Sequence, residues 1–380
     1  MDLQDKNTNE STGMLNKLDD RIDEAVALYE RKTAEYERGE SLDDEPSRQD
    51  VEEAYFQKIL WYTDLAKKTG PFSEEGQKDL KEAVNCRRDY EEMMGPLITV
   101  VAPENIRLFD KSLTGDLAED IIYGRAGAIG AFRTVFKTVY GVGVLVYHLD
   151  ATEDTKEAVV YIDWLYVDSI CRKQGVADFL MGELLYRMAE GGLRRVCVSF
   201  SKKNKSADLL TYVFEKWKFA LSERVSSDNI IRIKDIVGFD IMEKNDREVF
   251  SLSSVDERER KKLIQRSVRK FGYRGYPSSE KLPTDYFDDG LSCFMGSASD
   301  PKGIMLVHKK LSGTYRVDYM SYEEEVPERA DMLTAHFLMQ AMELEGEPVV
   351  WIPYDKRVSE FMYRVCPTQL GSYLISGVLA

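Results

Sequence analysis

Residues 161–190 read "YIDWLYVDSICRKQGVADFLMGELLYRMAE". A run of apolar, β-branched and aromatic residues leads in, and a short polar loop follows. Phe179, Leu180, Leu184, Leu185 and Met188 then recur at helical spacing. The pattern is a strand, a loop and a helix. A loop of this kind, with Gly175 at its turn, aims backbone N–H groups from a helix N-terminus, where the dipole favours anions. Gly175 has no side chain to block close approach, Ala177 keeps the first turn slim, and Arg172 and Lys173 add positive charge. The unit is built as a pyrophosphate cradle. Taken alone, "RKQGVA" fits an ordinary strand-to-helix turn equally well. The chain has no GxGxxG after an early strand and no GK[ST], and the glycines of "GRAGAIG" (124–130) read as tight strand packing.

Upstream, Leu15, Leu18, Ile22, Val26 and Tyr29 predict an amphipathic helix from about residue 14 to 38, with disorder over 1–12. "GESLDDEPS" breaks it. Helices follow over about 48–68 and up to Met94, and Gly95-Pro96 marks a boundary. After Pro96 strands alternate with helices: "LITVVA", a helix over about 104–123, "GAIGAFRTVFKTV", "VGVLVYHL" and "AVVYIDWLYV". The quoted loop and its helix come next, then "RRVCVSF", a helix over about 206–218, and "NIIRIKDIVGF" to close the unit. This is an α/β (α+β) texture with a mixed sheet.

The remaining residues repeat the order. "IDWLYVDS" (162–169) sets beside "VDYMSYEE" (317–324), which places Asp163 opposite Asp318. Each is preceded by a strand ending in histidine, His148 in "VLVYH" and His308 in "IMLVH". Where the first copy has "CRKQGVA", the second has the acidic, glycine-free "EVPERADM", which repels pyrophosphate. The expected division is an acidic helical extension (1–95), an anion-binding domain (96–240) and a degenerate copy of it (241–380).

The chain is 380 residues long with net charge −15, and residues 1–95 hold 25 acids against 14 bases. That balance argues against nucleic acid as a partner, which needs a basic face. No apolar run approaches the ~20 residues of a membrane span, and the polar, acidic start is unlike a targeting peptide, so the expected location is cytoplasmic, with no membrane partner. Five scattered cysteines without CxxC spacing, and three histidines, predict no metal site. Nothing in the sequence sets an oligomeric state.

The strand followed by "VDSICRKQGVA" resembles the acetyl-CoA signature of the GNAT N-acetyltransferase superfamily. That pattern, Arg/Gln-x-x-Gly-x-Gly/Ala, starts five residues after a valine of the fourth strand, and Val167, Arg172, Gly175 and Ala177 meet it. The resemblance covers about 97–240. It implies two GNAT-like mixed-sheet domains in tandem behind an all-α extension, with one copy active. Such a protein would move an acetyl group from acetyl-CoA, its co-substrate, to a primary amine on a small molecule or peptide. The amides of Arg172, Lys173, Gln174, Gly175, Val176 and Ala177 would hold the pyrophosphate. The backbone of Leu165, Tyr166 and Val167 would pair with the pantetheine arm. Asn204 would contact CoA, with Lys202, Lys203 and Lys205 nearby.

Asp163 is the expected base, sharing a face with Leu165 and Val167 by strand alternation. A structural aspartate is the equal alternative, and His148 is another proton carrier. The family's acid tyrosine position holds Phe214, which leaves Tyr212, two residues earlier, as the candidate acid. The same cradle would also serve a catalytically silent acyl-CoA sensor or scaffold.

Overall fold

The structure, a computed structural model, describes residues 2–38, 48–135, 138–150, 158–226, 228–245, 247–272, 285–368 and 373–379. Three helices come first: α1 (Asp2–Glu37), α2 (Gln49–Thr69) and α3 (Glu74–Met94). The backbone of α1 starts at Asp2, so residues expected to be disordered belong to it.

The first sheet has seven strands: β1 (Ile98–Val100), β2 (Gly127–Val135), β3 (Thr138–Asp150), β4 (Val159–Val167), β5 (Val196–Ser201), β6 (Ala220–Val225) and the last strand of the chain, β13 (Tyr373–Leu379). With it go α4 (Gly115–Ile122), α5 (Val176–Glu190) and α6 (Ala207–Lys216). The helix expected over 104–123 is divided into a 3-10 turn at 106–109 and α4, whose start Thr114 caps by accepting from Leu117 N. The second sheet contains β7 (Asn229–Arg232), β8 (Val249–Ser251), β9 (Cys293–Gly296), β10 (Pro301–Lys309), β11 (Tyr315–Tyr322) and β12 (Val349–Ile352). Its helices are α7 (Phe239–Asn245), α8 (Glu257–Phe271), α9 (Glu328–Met342) and α10 (Lys356–Val365).

The sheets do not respect a cut at residue 240. The order in the first is β1-β2-β3-β4-β5-β13-β6, and in the second β7-β12-β11-β10-β9-β8. The strand that closes the first half in sequence, β7, pairs with β12, and β13 fills the place between β5 and β6. Each half thus gives a strand to the other. Removing residues 373–380 would leave two bare strand edges inside the first sheet. The truncated chain is expected to lose its cooperative thermal transition; a melt like that of the full chain would contradict the exchange.

The helical segment is no loose extension either. α2 and α3 lie on α5, and one apolar core runs from Ile22, Phe56 and Leu80 through Leu180 and Leu184 to Val198 and Trp217. Charges seal it: Arg87 pairs with Glu183, Arg133 with Glu52, and Lys67 with Asp178. On the opposite face Phe109, Phe132 and Val144 pack with Trp164 and Tyr166. The close-packing reading of "GRAGAIG" holds: a Cβ on Gly130 would sit 2.1 Å from the Phe109 ring, and one on Gly127 2.7 Å from Tyr147.

Both halves carry one device at the same place. β3 and β4 pair Val146 with Trp164 and then Tyr147 with Ile162, so Asp163 is an extra, bulged residue. β10 and β11 pair Leu306 with Tyr319 and then Val307 with Val317, which bulges Asp318. The next residue along in each case is the histidine, His148 opposite Tyr161 and His308 opposite Arg316.

Candidate active site

The parallel strands β4 and β5 pair only from Val160 to Ile162. Beyond the bulge they part and leave a cleft of about 260 Å³. Residues 162–166 form one wall, and 198–201 with Asn204, Ser206, Leu210 and Phe214 form the other. Two strands that diverge leave backbone groups unpaired, and an extended ligand can take them up as an added strand would.

At the end of β4 the chain turns through a 3-10 segment, with Asp168 accepting from Ile170 N at 3.0 Å. Lys173 and Gly175 both have left-handed φ, 63° and 86°. Gly175 is the N-cap of α5 and brings no side chain to it. Among the described residues, no acceptor faces the backbone N–H groups of residues 172–178; the first bonded amide is that of Phe179, to Gly175 O. Successive free amides at the start of a 15-residue helix make an anion-binding concavity. The donor set therefore fits a pyrophosphate. Arg172 donates through Nε to Val167 O at 3.1 Å, and Gln174 through Nε2 to Ile170 O at 3.1 Å, so two of the expected residues brace the loop. Lys173 is exposed, and Val176 turns its side chain into the core.

Gly175 has a second reason to be glycine. A Cβ there would meet Leu60 Cδ1 of α2 at 2.3 Å, so α2 backs the loop directly. Gly175→Ala is expected to cost about 2–4 kcal/mol, from left-handed strain and overpacking together. In urea melts, combining it with Leu60→Ala should cost less than the sum of the single changes. Simple additivity would show that the two sites do not touch.

Of the other expected residues, Asp163, Leu165, Tyr166 and Asn204 line the cleft. Asn204 Oδ1 accepts from Ser206 N at 2.9 Å. Val167 packs on the core rather than in the cleft. Lys202 is held by Glu223 at 2.6 Å, and Lys203 and Lys205 are exposed. Tyr212 is not brought to the site. It is 63% exposed, whereas Leu210 and Phe214, one helical turn apart, face the cleft.

The alternation argument for Asp163 also needs correcting, because the bulge reverses parity. Val160 and Ile162 face the α5 core, as do Leu165 and Val167, while Trp164 and Tyr166 face the opposite layer. Asp163 leaves the apolar face. Its Oδ2 lies 2.7 Å from His148 Nδ1, and the imidazole stacks on Tyr161 at 5.0 Å between ring centres. Burial alone would lower the His148 pKa. The hydrogen bond and charge of Asp163, with the charge of Asp150, outweigh it and hold the group above its ordinary value.

The sequence reading passed over Ser199, Ser201 and Ser206 in the cleft wall. Their signal was present in "VCVSFS" (196–201), where small polar residues alternate with core residues. Among the described residues no group of His, Cys, Asp and Glu is placed to hold a metal ion, and no helix is long and apolar enough to cross a membrane.

Residues 119–210 match the model of the acetyltransferase (GNAT) family. The chain is similar to the GCN5-related glucosamine N-acetyltransferase region of a fungal multi-domain GH3 β-N-acetylglucosaminidase. That likeness has 12% identity over 74% of this chain and 38% of the other, with a TM-score of 0.50, and shows the fold. A GCN5-related N-acetyltransferase from Kribbella flavida matches at 11% identity over 73% of this chain and 70% of the other, with a TM-score of 0.41. NAA60 of Arabidopsis thaliana, solved with acetyl-CoA, matches at 14% identity over 34% and 86% of the two chains, with a TM-score of 0.28. Two curated proteins match shorter stretches. Myosin-1 of Mycosarcoma maydis is 22% identical over 130 residues, 34% of this chain, and Myosin-1 of Neurospora crassa 28% over 114 residues, 29% of this chain. The chain spans about a tenth of the length of these curated relatives, 10% and 9%. The family match covers the bulged strand, the amide-lined loop and the parted strands, so the part of the chain that carries the site is similar to the GNAT acetyltransferase family.

Proposed function

We propose that the first sheet and its helices form the active copy of a tandem GNAT protein, which transfers acetyl from acetyl-CoA to a primary amine. The observation that carries this reading is the run of unpartnered amides at residues 172–178, placed beside the cleft where β4 and β5 part. Those amides, with Lys173, would hold the pyrophosphate. The β4 wall from Leu165 to Val167 would hold the pantetheine arm, and Asn204 the far wall. Acetyl-CoA supplies an acyl group activated as a thioester.

The chain's own part is proton handling and orientation. An amine is protonated near neutrality and must lose a proton to attack. Asp163 in the cleft wall and His148 behind it form a pair that takes up that proton when the imidazole is neutral. Asp163 fixes Nδ1 as the N–H of the neutral imidazole. Phe214 and Leu210 would give the reacting thioester an apolar wall.

The second half is the degenerate copy. The segment after β11 has no glycine, and its Glu323 is gripped by Lys270, Lys302 and Arg329, which pull its pKa down to about 2. A silent acyl-CoA sensor would share the cradle, but the His148–Asp163 pair favours turnover. The test is a panel of primary amines with acetyl-CoA, read as release of free thiol. Amine-dependent thiol release supports transfer. Acetyl-CoA binding without release from any amine would leave the sensor.

A further inference from the structure

On the face of the first sheet turned away from α5, a line of polar residues crosses β5, β13 and β6 beside β4. On it Tyr161 lies beside Cys197, and Ser199, Ser376 and Ser222 follow in one row across three strands. A chain of hydrogen bonds runs along this row. Arg224 Nε donates to Ser376 Oγ at 2.7 Å, and Ser376 Oγ lies 3.1 Å from Ser199 Oγ, which is part of the cleft wall. The exposed guanidinium is thereby tied to the sheet face through Nε, with no partner for its terminal nitrogens among the described residues. The charges of Arg195 and Arg224 reach as far as Tyr161, the ring that stacks on His148. One face therefore carries acidic groups at β3 and β4, with Asp150, Asp163 and His148, and a guanidinium at β6, that of Arg224.

We infer that the acceptor is an elongated primary amine ending in an oxyanion, with its amine at Asp163 and its oxyanion at Arg224. The inference rests on the acetyl-transfer reading and specifies its substrate class. β4 and β6 are three strand spacings apart where β4 and β5 still pair, about 14 Å, and farther where those strands part, so the two charges of the acceptor are separated by many bonds. A lone α-amino acid is too short, and a tripeptide with a free C-terminus or an aminoalkyl phosphate of similar length fits. Ser376 comes from β13, so the second half of the chain helps to build the acceptor site of the first. A guanidinium with its terminal nitrogens free suits carboxylate or phosphate through paired N–H donors.

The test is calorimetric titration of the full chain, with CoA present, by a tripeptide acid and by its C-terminal amide. An aminoalkyl phosphate and the matching amino alcohol form a second pair. The acid or the phosphate is expected to bind at least tenfold tighter than its neutral counterpart. The stronger of the two preferences identifies the oxyanion. Arg224→Gln should remove that preference and leave binding of the neutral partner and of CoA unchanged, with Ser376→Ala giving a smaller loss. Equal binding of charged and neutral partners, or a preference untouched by Arg224→Gln, would overturn the assignment. Failure of CoA itself to bind is a separate result and strikes the acetyl-transfer reading.

Discussion

Asp163→Asn is expected to lower kcat by about 10²–10⁴-fold, the range a positioned acid–base group contributes, with little change in acetyl-CoA binding. Asp163 lines the cleft and also holds His148, so one substitution removes both the carboxylate and the support for the imidazole. The pH profile gives the sharper signature. The His148 pKa is raised, and only its neutral form accepts a proton, so kcat should climb with pH on the alkaline side of about 6.5. In Asp163→Asn the imidazole loses its stabilising partner, and the acid limb should move to lower pH. His148→Gln should lower kcat and flatten that limb. Stability runs the other way. A raised folded-state pKa contributes stability below the unfolded value, and that is lost as pH rises through the folded value. An unchanged rate and profile in Asp163→Asn would return that residue to a purely structural role.

A large effect of a different kind is expected from Asp318→Asn, which should destabilise the whole chain by about 3–5 kcal/mol, as loss of a buried charge partner does. Asp318 is the bulged residue equivalent to Asp163, but its side chain is fully buried between the halves. Arg125 from the first half binds it, Arg316 Nε donates to it at 2.6 Å, and Tyr286 OH donates at 3.0 Å. Asp120 joins the same cluster with Lys310 at 2.8 Å and Arg316 at 3.2 Å, and His308 lies 3.1 Å from Glu119. The bulge that would serve chemistry in one half thus holds the halves together in the other.

Burial alone would raise the pKa of Asp318, but Arg125 and Arg316 outweigh it and hold the carboxyl below its ordinary value. Arg316, Arg125 and Lys310 do the same for Asp120. Depressed carboxylates contribute stability above their unfolded pKa of about 4, and it is lost as pH falls through the folded values. Chemical melts at pH 7 and pH 3 should therefore show a smaller gap between wild type and Asp318→Asn at the lower pH. A variant as stable as wild type at pH 7 would contradict the clamp.

The strand, loop and helix that leave the amides of residues 172–178 free were legible in the sequence because they are local. A glycine, a small residue and a strand valine at fixed spacing are consequences of a single turn, and α5 begins at Val176 as that spacing requires. The equivalence of Asp163 and Asp318 was legible for the same reason, since a fixed offset survives wherever the elements sit. The bulge was not. One extra residue leaves the composition of a strand untouched while reversing every later side chain, so Asp163 reads as an inward neighbour of Leu165 when it faces His148. Strand exchange is hidden for a related reason. The alternation in "NIIR" and "YLISGVL" fits either sheet, and only long-range pairing chooses. The contact of Leu60 with Gly175 joins residues too distant in sequence for any local pattern to mark.

The proposed hold of the free amides of residues 172–178 on an acyl-CoA is tested most directly by acetyl-CoA binding to the full chain, followed by thermal melting and by calorimetry. A ligand that binds only the folded state raises the midpoint in step with its concentration over Kd. Such a rise is expected, saturating with acetyl-CoA, with a rise at least halved in Lys173→Glu, whose exposed side chain packs on nothing in the core. A flat midpoint and no heat of binding with the folded wild-type chain would contradict it.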